Sequence, residues 1–139
     1  MSLKDIFQEF IEKDKAAELG GGEKAIEKQK NAGKQTARER IDMLLDDNSF
    51  AEIDKFVLHD SHNYNMQNKR VPGDGVVAGY GKIEGRLVYV YAYDFTVYGG
   101  SLSRTNANKI VKVQKLALKN GAPIIALNDS GGARIQEGV

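Results

Sequence analysis

The sequence predicts an α/β fold in which polar helices precede a glycine-rich part that contains the strands. Of the 15 glycines, 11 lie after Val71. Apolar residues recur with a helical period before residue 48, whereas strand-like apolar runs dominate after residue 50. The second part shows the order strand, strand, helix, strand, glycine loop. We therefore expect a helical segment at residues 1–48 and an α/β part at residues 49–139.

Composition excludes several classes of protein. The chain has 139 residues, with 20 Lys and Arg against 19 Asp and Glu and a net charge of +1. This balance lacks the basic excess of a nucleic-acid-binding surface, so no nucleic acid partner is expected. The absence of cysteine excludes disulfides, thiolate metal sites and cysteine nucleophiles. No apolar run is long enough to span a membrane, and the N-terminus lacks a secretory apolar region, so a cytoplasmic location is expected.

Three helices are predicted in the N-terminal segment. The first has an apolar stripe at helical spacing, formed by Leu3, Ile6, Phe7, Phe10 and Ile11. The second, from Glu23 to Asn31, has little apolar surface and needs support from another element. Thr36 and Glu39 have the spacing of a capping box, which predicts the start of a short third helix.

The signals between residues 50 and 70 are weaker. Residues 50–53 and 56–58 suggest two short strands, and the polar stretch 60–70 suggests a mobile loop. His59 and His62 are three residues apart, but no recognisable zinc spacing surrounds them, so a solvated loop is expected and no metal site.

A hairpin and a helical crossover are predicted in the rest of the chain. Val76–Ile83 and Arg86–Tyr93 flank Glu84-Gly85, and their nearly continuous apolar content predicts that both faces of the sheet are covered. A helix from about Ser103 to Lys119 and a short buried strand at 123–127 follow. Lys109, Lys112 and Lys119 are interpreted as a solvated helix face, although a phosphate-rich ligand would also suit them.

The loop from Asp129 to Arg134 is the most informative stretch for chemistry. Gly131 and Gly132 lack the Cβ atoms that would block a ligand from the backbone. Amides at such a turn can hold an oxyanion or a phosphate. A plain strand-to-helix turn explains the same residues equally well. The similar loop around Gly99-Gly100 is more simply explained as a capped helix start.

Side-chain catalysis has little support in the sequence. There is no convincing Ser–His–Asp set, carboxylate pair or thiol. If the chain is catalytic, backbone amides must carry the chemistry, and the candidates are those of Gly132 and Ala133.

Four ordered motifs resemble the carboxyltransferase (beta) subunits of biotin-dependent acyl-CoA carboxylases, of the propionyl-CoA carboxylase beta type, and the related methylmalonyl-CoA and glutaconyl-CoA decarboxylase subunits. The motifs are Lys34–Phe50, Gly75–Gly81, Asp94–Leu102 and Leu127–Gly138. The resemblance implies an incomplete crotonase-like superhelix of ββα units, with residues 49–139 as the front part of an N-terminal carboxyltransferase domain.

The same resemblance implies a function. The family moves a carboxyl group between carboxybiotin, held on a partner carrier protein, and the α-carbon of an acyl-CoA. Gly131, Gly132, Ala133 and Arg134 match its acyl-CoA-binding loop. Arg134 could contact a CoA phosphate or a structural carboxylate such as Glu137. Implied partners are an acyl-CoA, a biotin carboxyl carrier protein and further subunits in a dimer-based homo-oligomer, of which a hexamer is one form.

Two hypotheses follow. In the first, the chain is the acyl-CoA-binding part of such an enzyme and is inactive alone. In the second, residues 1–48 form a helical docking module for a multisubunit carboxylase or decarboxylase complex, without catalytic residues of its own.

Overall fold

The computed structural model describes residues 1–138 and contains a four-stranded sheet. The strands, in the spatial order β1-β2-β3-β4, are β1 Ala51–Glu52, β2 Val76–Ile83, β3 Arg86–Tyr93 and β4 Ile124–Leu127. β1, β2 and β3 pair antiparallel, and β4 pairs parallel with β3. The α/β class and the hairpin predicted from the sequence are confirmed.

Four α-helices accompany the sheet within the described residues. They are α1 Leu3–Glu18, α2 Glu23–Asn31, α3 Ala37–Leu44 and α4 Arg104–Asn120. The Thr36–Glu39 capping box is present at the start of α3. Ser103 caps α4, which ends at Gly121 in the left-handed conformation. Short 3₁₀ segments lie at Asn63–Asn68, Tyr98–Gly100 and Ile135–Glu137.

Both faces of the hairpin are covered, as predicted. Successive strand residues point to opposite faces, so Val77 and Val90 pack with Ile41 of α3, on one side. Val76 packs on the other side with Val113 of α4. The sheet is thus enclosed between α3 and α4, and the crossover through α4 brings β4 beside β3.

The hairpin turn is fixed by its backbone and by a carboxylate. Glu84 and Gly85 both have positive φ, as a type I′ turn requires. The Asp46 carboxylate accepts hydrogen bonds from the two turn amides, at 2.9 and 2.8 Å. The segment after α3 therefore ties the helix to the turn.

Three predictions about local structure are wrong. Residues 56–58 do not form a strand. The solvated position predicted for His59 is wrong, because His59 is only 1% exposed, whereas residues 60–70 are mostly exposed apart from the buried Met66. The β4 strand is half exposed, because within the described residues it has a neighbour only in β3.

Helix α1 lies outside this core. Its apolar stripe faces solvent at Leu3 and Phe7, and the ring of Phe10 meets that of Phe56 edge-on at 5.9 Å. Lys55 joins the helix through ion pairs with Asp14 and Glu18. Within residues 1–138, none of the helices combines the length and apolar character needed to cross a membrane.

Candidate functional site

The predicted site lies where two glycine-containing segments run side by side. We call residues 129–134 the glycine loop and residues 98–102 the first glycine turn. Gly131 N–H donates to the carbonyl of Gly99 at 2.8 Å, and Leu102 N–H donates to that of Gly132 at 2.8 Å. Arg134 N–H then donates to the carbonyl of Leu102 at 2.9 Å. The loop is therefore held along its length by the turn that precedes α4.

The three amides of the glycine loop differ in availability. The Gly131 amide is already bonded to Gly99, so it does not face a ligand. The Gly132 amide donates to the Ser130 hydroxyl at 3.1 Å, a partner that can rotate away. Ala133 is an exposed residue, and its amide donates to no oxygen within residues 1–138. Of the two candidate amides, that of Ala133 is free in this structure and that of Gly132 is weakly held.

The glycines of the two segments are needed for different reasons. A Cβ on Gly100 would overlap the carbonyl oxygen of Asp129, so the close approach of the segments requires glycine there. A Cβ on Gly131 would meet only the carbonyl oxygen of Gly99, at an ordinary 3.5 Å. Gly132 has a φ of +115° and open space around its Cβ position. The packing of the described residues does not explain why residue 131 is glycine.

Arg134 has a structural carboxylate as its partner, which is one of the two kinds of partner predicted, but the carboxylate is that of Asp74 and not that of Glu137. Its side chain is fully buried, and its guanidinium pairs with the carboxylate of Asp74 at 2.5 Å. It also donates to the Ser101 hydroxyl at 3.1 Å and lies over the Tyr98 ring, 4.8 Å from its centre. Within the described residues its ion pair is with Asp74 and not with Glu137. Through these contacts, Arg134 holds the end of the glycine loop in place.

Asp74 is the residue that sequence reasoning missed. It lies in the turn before β2, and its carboxylate also accepts a hydrogen bond from the Ser103 hydroxyl. Its backbone carbonyl accepts a hydrogen bond from Asn106 at 2.9 Å, and Asn106 also donates to the carbonyl of Ser101 at 2.9 Å. These side chains are all buried. The only signal in the sequence was one carboxylate between two glycines, which is typical of an ordinary turn.

Lys109 is buried beside this network, contrary to the prediction of a solvated face. It is 2% exposed and donates to the backbone carbonyls of Gly73, at 3.2 Å, and Val76. Burial lowers the pKa of the Lys109 ammonium to about 8, opposed in part by the charge of Glu52. Lys112 does face solvent, where it pairs with Asp54 at 2.8 Å.

Comparison with known proteins identifies the family of this chain. The family described as Carboxyl transferase domain matches residues 28–139. The chain is 56% identical over 137 residues to the propionyl-CoA carboxylase beta chain of Roseobacter denitrificans, covering 99% of the chain and 27% of that protein. It is 59% identical over 135 residues to methylmalonyl-CoA decarboxylase subunit alpha of Veillonella parvula, covering 97% and 26%.

A solved structure agrees with these relatives. Transcarboxylase 12S, described as a hexamer assembly with methylmalonyl-coenzyme A and methylmalonic acid bound, superimposes with a TM-score of 0.96 at 45% identity. The match covers 99% of this chain and 27% of that one. The chain thus spans about a quarter of the length of these relatives. It belongs to the carboxyl transferase domain family.

Proposed function

We propose that the chain is the acyl-CoA-binding N-terminal part of a biotin-dependent carboxyltransferase. The enzyme would move a carboxyl group between carboxybiotin and the α-carbon of an acyl-CoA of the propionyl-CoA or methylmalonyl-CoA type. The names of the relatives and the methylmalonyl-coenzyme A bound to transcarboxylase 12S support this substrate class. The order β2, β3, α4, β4 supports a crotonase-like ββα unit.

One observation carries the proposal: the Ala133 amide has no hydrogen-bond acceptor within residues 1–138, and it follows Gly132, whose Cβ position is open. An amide N–H at this position would donate to the thioester carbonyl oxygen of the substrate. When a proton or carboxylate leaves the α-carbon, negative charge builds on that oxygen, and a fixed donor stabilises it more than it stabilises the ground state. Gly131 and Gly132 would let the thioester approach, and Arg134 would keep the loop in place.

Biotin, carried by a partner carrier protein, would supply or accept the carboxyl group as carboxybiotin. We assign no residue of this chain to it. Further carboxylase or decarboxylase subunits and a dimer-based homo-oligomer are proposed as partners, which the hexameric transcarboxylase 12S supports. A cytoplasmic location and the division at residue 48 remain predictions, and the buried face of α3 packs on the sheet beyond that boundary.

The direct test is binding and exchange by the full-length protein. Isothermal titration should show binding of propionyl-CoA or methylmalonyl-CoA, and isotope exchange should show a carboxyl group passing between biotin and that acyl-CoA. Acetate and free propionate serve as ligand controls without the CoA moiety. Failure of every acyl-CoA to bind and exchange would end the carboxyltransferase proposal.

The docking role remains a second candidate because the apolar stripe of α1 is exposed, most of all at Leu3 and Phe7. If α1 docks a partner subunit, deletion of residues 1–18 should reduce the assembly mass measured by light scattering. An unchanged mass would count against this role.

A further inference from the structure

Two tyrosines of the chain have left-handed backbone angles, and their surroundings differ. Tyr64 and Tyr98 have φ angles of +54° and +49°. This conformation is costly for a bulky residue, whereas glycine and asparagine adopt it readily. Tyr64 lies in the loop before β2 with its side chain in solvent, 79% exposed. Tyr98 begins the first glycine turn and is half-buried, so contacts of its ring can offset the cost of its backbone.

The ring of Tyr98 contacts two buried planar groups. The guanidinium of Arg134 lies 4.8 Å from the ring centre, and the centre of the His59 imidazole lies 6.1 Å away, inclined by 66°. Arg134 is fixed by its ion pair with Asp74, and His59 Nε2 is 3.3 Å from the carbonyl oxygen of Lys69. A cation over an aromatic face and an edge-on pair of rings both stabilise such a cluster. The Tyr98 ring is therefore held by two groups that are themselves anchored.

The turn that Tyr98 begins sets the direction of the Ala133 amide. Leu102 N–H donates to the carbonyl of Gly132 at 2.8 Å. That carbonyl and the Ala133 N–H belong to one planar trans peptide unit, so the N–H points away from Leu102. Within the turn, Ser101 N–H donates to the carbonyl of Tyr98 at 3.2 Å. Because the turn is short and closed by this bond, a shift of Tyr98 would move Leu102 and rotate the peptide that carries the Ala133 amide.

We propose that Tyr98 is a positioning residue for the carboxyl transfer. Its ring, held against Arg134 and His59, keeps the first glycine turn in the place from which it directs the Ala133 N–H toward the thioester oxygen. Tyr98 acts through the turn and does not itself contact the reacting atoms. The assignment rests on the proposed function, because it takes the Ala133 amide as the donor to that oxygen.

The test separates the ring of Tyr98 from its backbone conformation, using kcat and KM of carboxyl transfer to propionyl-CoA by the full-length protein. Tyr98→Asn suits the left-handed backbone but removes the ring, so it should lower kcat about 10- to 100-fold. KM should stay unchanged, because the Ala133 contact strengthens in the transition state. Tyr98→Phe keeps the ring and should retain the wild-type kcat. Tyr64→Asn is the matched control, since it makes the same change at an exposed left-handed tyrosine, and it should alter neither constant.

A second variant tests the same cluster without changing residue 98, which matters if Tyr98→Asn does not fold. His59→Ala removes one contact of the ring and should also lower kcat at unchanged KM, by a smaller factor. A wild-type kcat in folded Tyr98→Asn or in His59→Ala would overturn the positioning role. So would a loss confined to KM, or a loss in Tyr98→Phe as large as that in Tyr98→Asn. If the wild-type protein transferred no carboxyl group to any acyl-CoA, the proposed function would fail instead.

Discussion

The two glycine pairs of the chain look alike in sequence and behave differently in the structure. Gly99 and Gly100 both have left-handed backbone angles, and Gly100 lies against the carbonyl of Asp129. In the second pair, Gly131 lies outside the left-handed region, and an added Cβ there would make only an ordinary contact. Gly132 has a positive φ but open space around it.

The fold therefore requires glycine in the first pair, Gly99 and Gly100. The second pair, Gly131 and Gly132, leaves open space that a ligand could occupy. The first glycine turn is necessary because two backbones approach closely, which is one of the standard reasons for glycine. At Gly131 neither conformation nor packing within the described residues imposes that choice. The second pair is therefore where a ligand-related reason for glycine can be tested.

The largest expected effect comes from breaking the ion pair that supports both segments. Asp74→Asn keeps the shape of the side chain but leaves the Arg134 guanidinium buried without a counter-charge, so we expect a loss of about 3–5 kcal/mol in unfolding free energy. Urea unfolding of Asp54→Asn is the control, because Asp54 pairs with Lys112 near the surface and should cost less than about 1 kcal/mol. Similar losses in both variants would contradict the importance of the buried pair.

The next largest loss of stability is expected in the first glycine pair, where two variants distinguish the cost of close packing from the cost of the backbone conformation. Gly99→Ala and Gly100→Ala both place alanine at nearly the same positive φ, +61° and +62°. Gly99→Ala should cost about 1–2 kcal/mol from the left-handed conformation alone. Gly100→Ala should cost about 1–3 kcal/mol more, because its Cβ overlaps Asp129. Thermal and urea unfolding of the two variants measure this difference, and equal costs would show that packing is not the reason for Gly100.

Sequence reasoning succeeded where the information is local. The β2–β3 hairpin depends on two adjacent apolar runs and a turn dipeptide, and the start of α3 depends on Thr36 and Glu39, three residues apart. Such features need no knowledge of distant residues. The glycine loop was also found locally, from two glycines after a strand.

The features that the sequence did not predict depend on contacts between residues that are far apart in the chain. Asp74 and Arg134 are 60 positions apart, and neither belongs to a pattern that names its partner. Lys109 has the same helical spacing as the exposed lysines of α4, so its burial could not be predicted from the spacing. It is buried because it contacts the turn before β2, where it donates to the carbonyl of Gly73. Whether an amide of the glycine loop is free depends on the first glycine turn, which occupies the Gly131 amide.

A smaller effect on stability is expected at Gly132. Its φ of +115° is unfavourable for any residue with a Cβ, so Gly132→Ala should cost about 1–3 kcal/mol in unfolding free energy. Gly22→Ala is a matched control, since Gly22 has a φ of +94° and also has open space around it. Both variants should lose similar stability, whereas titration should show weaker propionyl-CoA binding only for Gly132→Ala. Equal affinities in the two variants would remove Gly132 from the proposed site.

The smallest effect on stability is expected at Gly131, and it is the most informative about function. Because the backbone angle is ordinary and an added Cβ has room, Gly131→Ala should change the unfolding free energy by no more than about 1 kcal/mol, in either direction. If the thioester of an acyl-CoA occupies the space beside Ala133, the added methyl group should raise the dissociation constant for propionyl-CoA. A stable variant with unchanged affinity would mean that no ligand approaches the backbone at this position. A stable variant with weakened affinity would separate binding from folding, unlike Gly100→Ala, which is expected to lose stability.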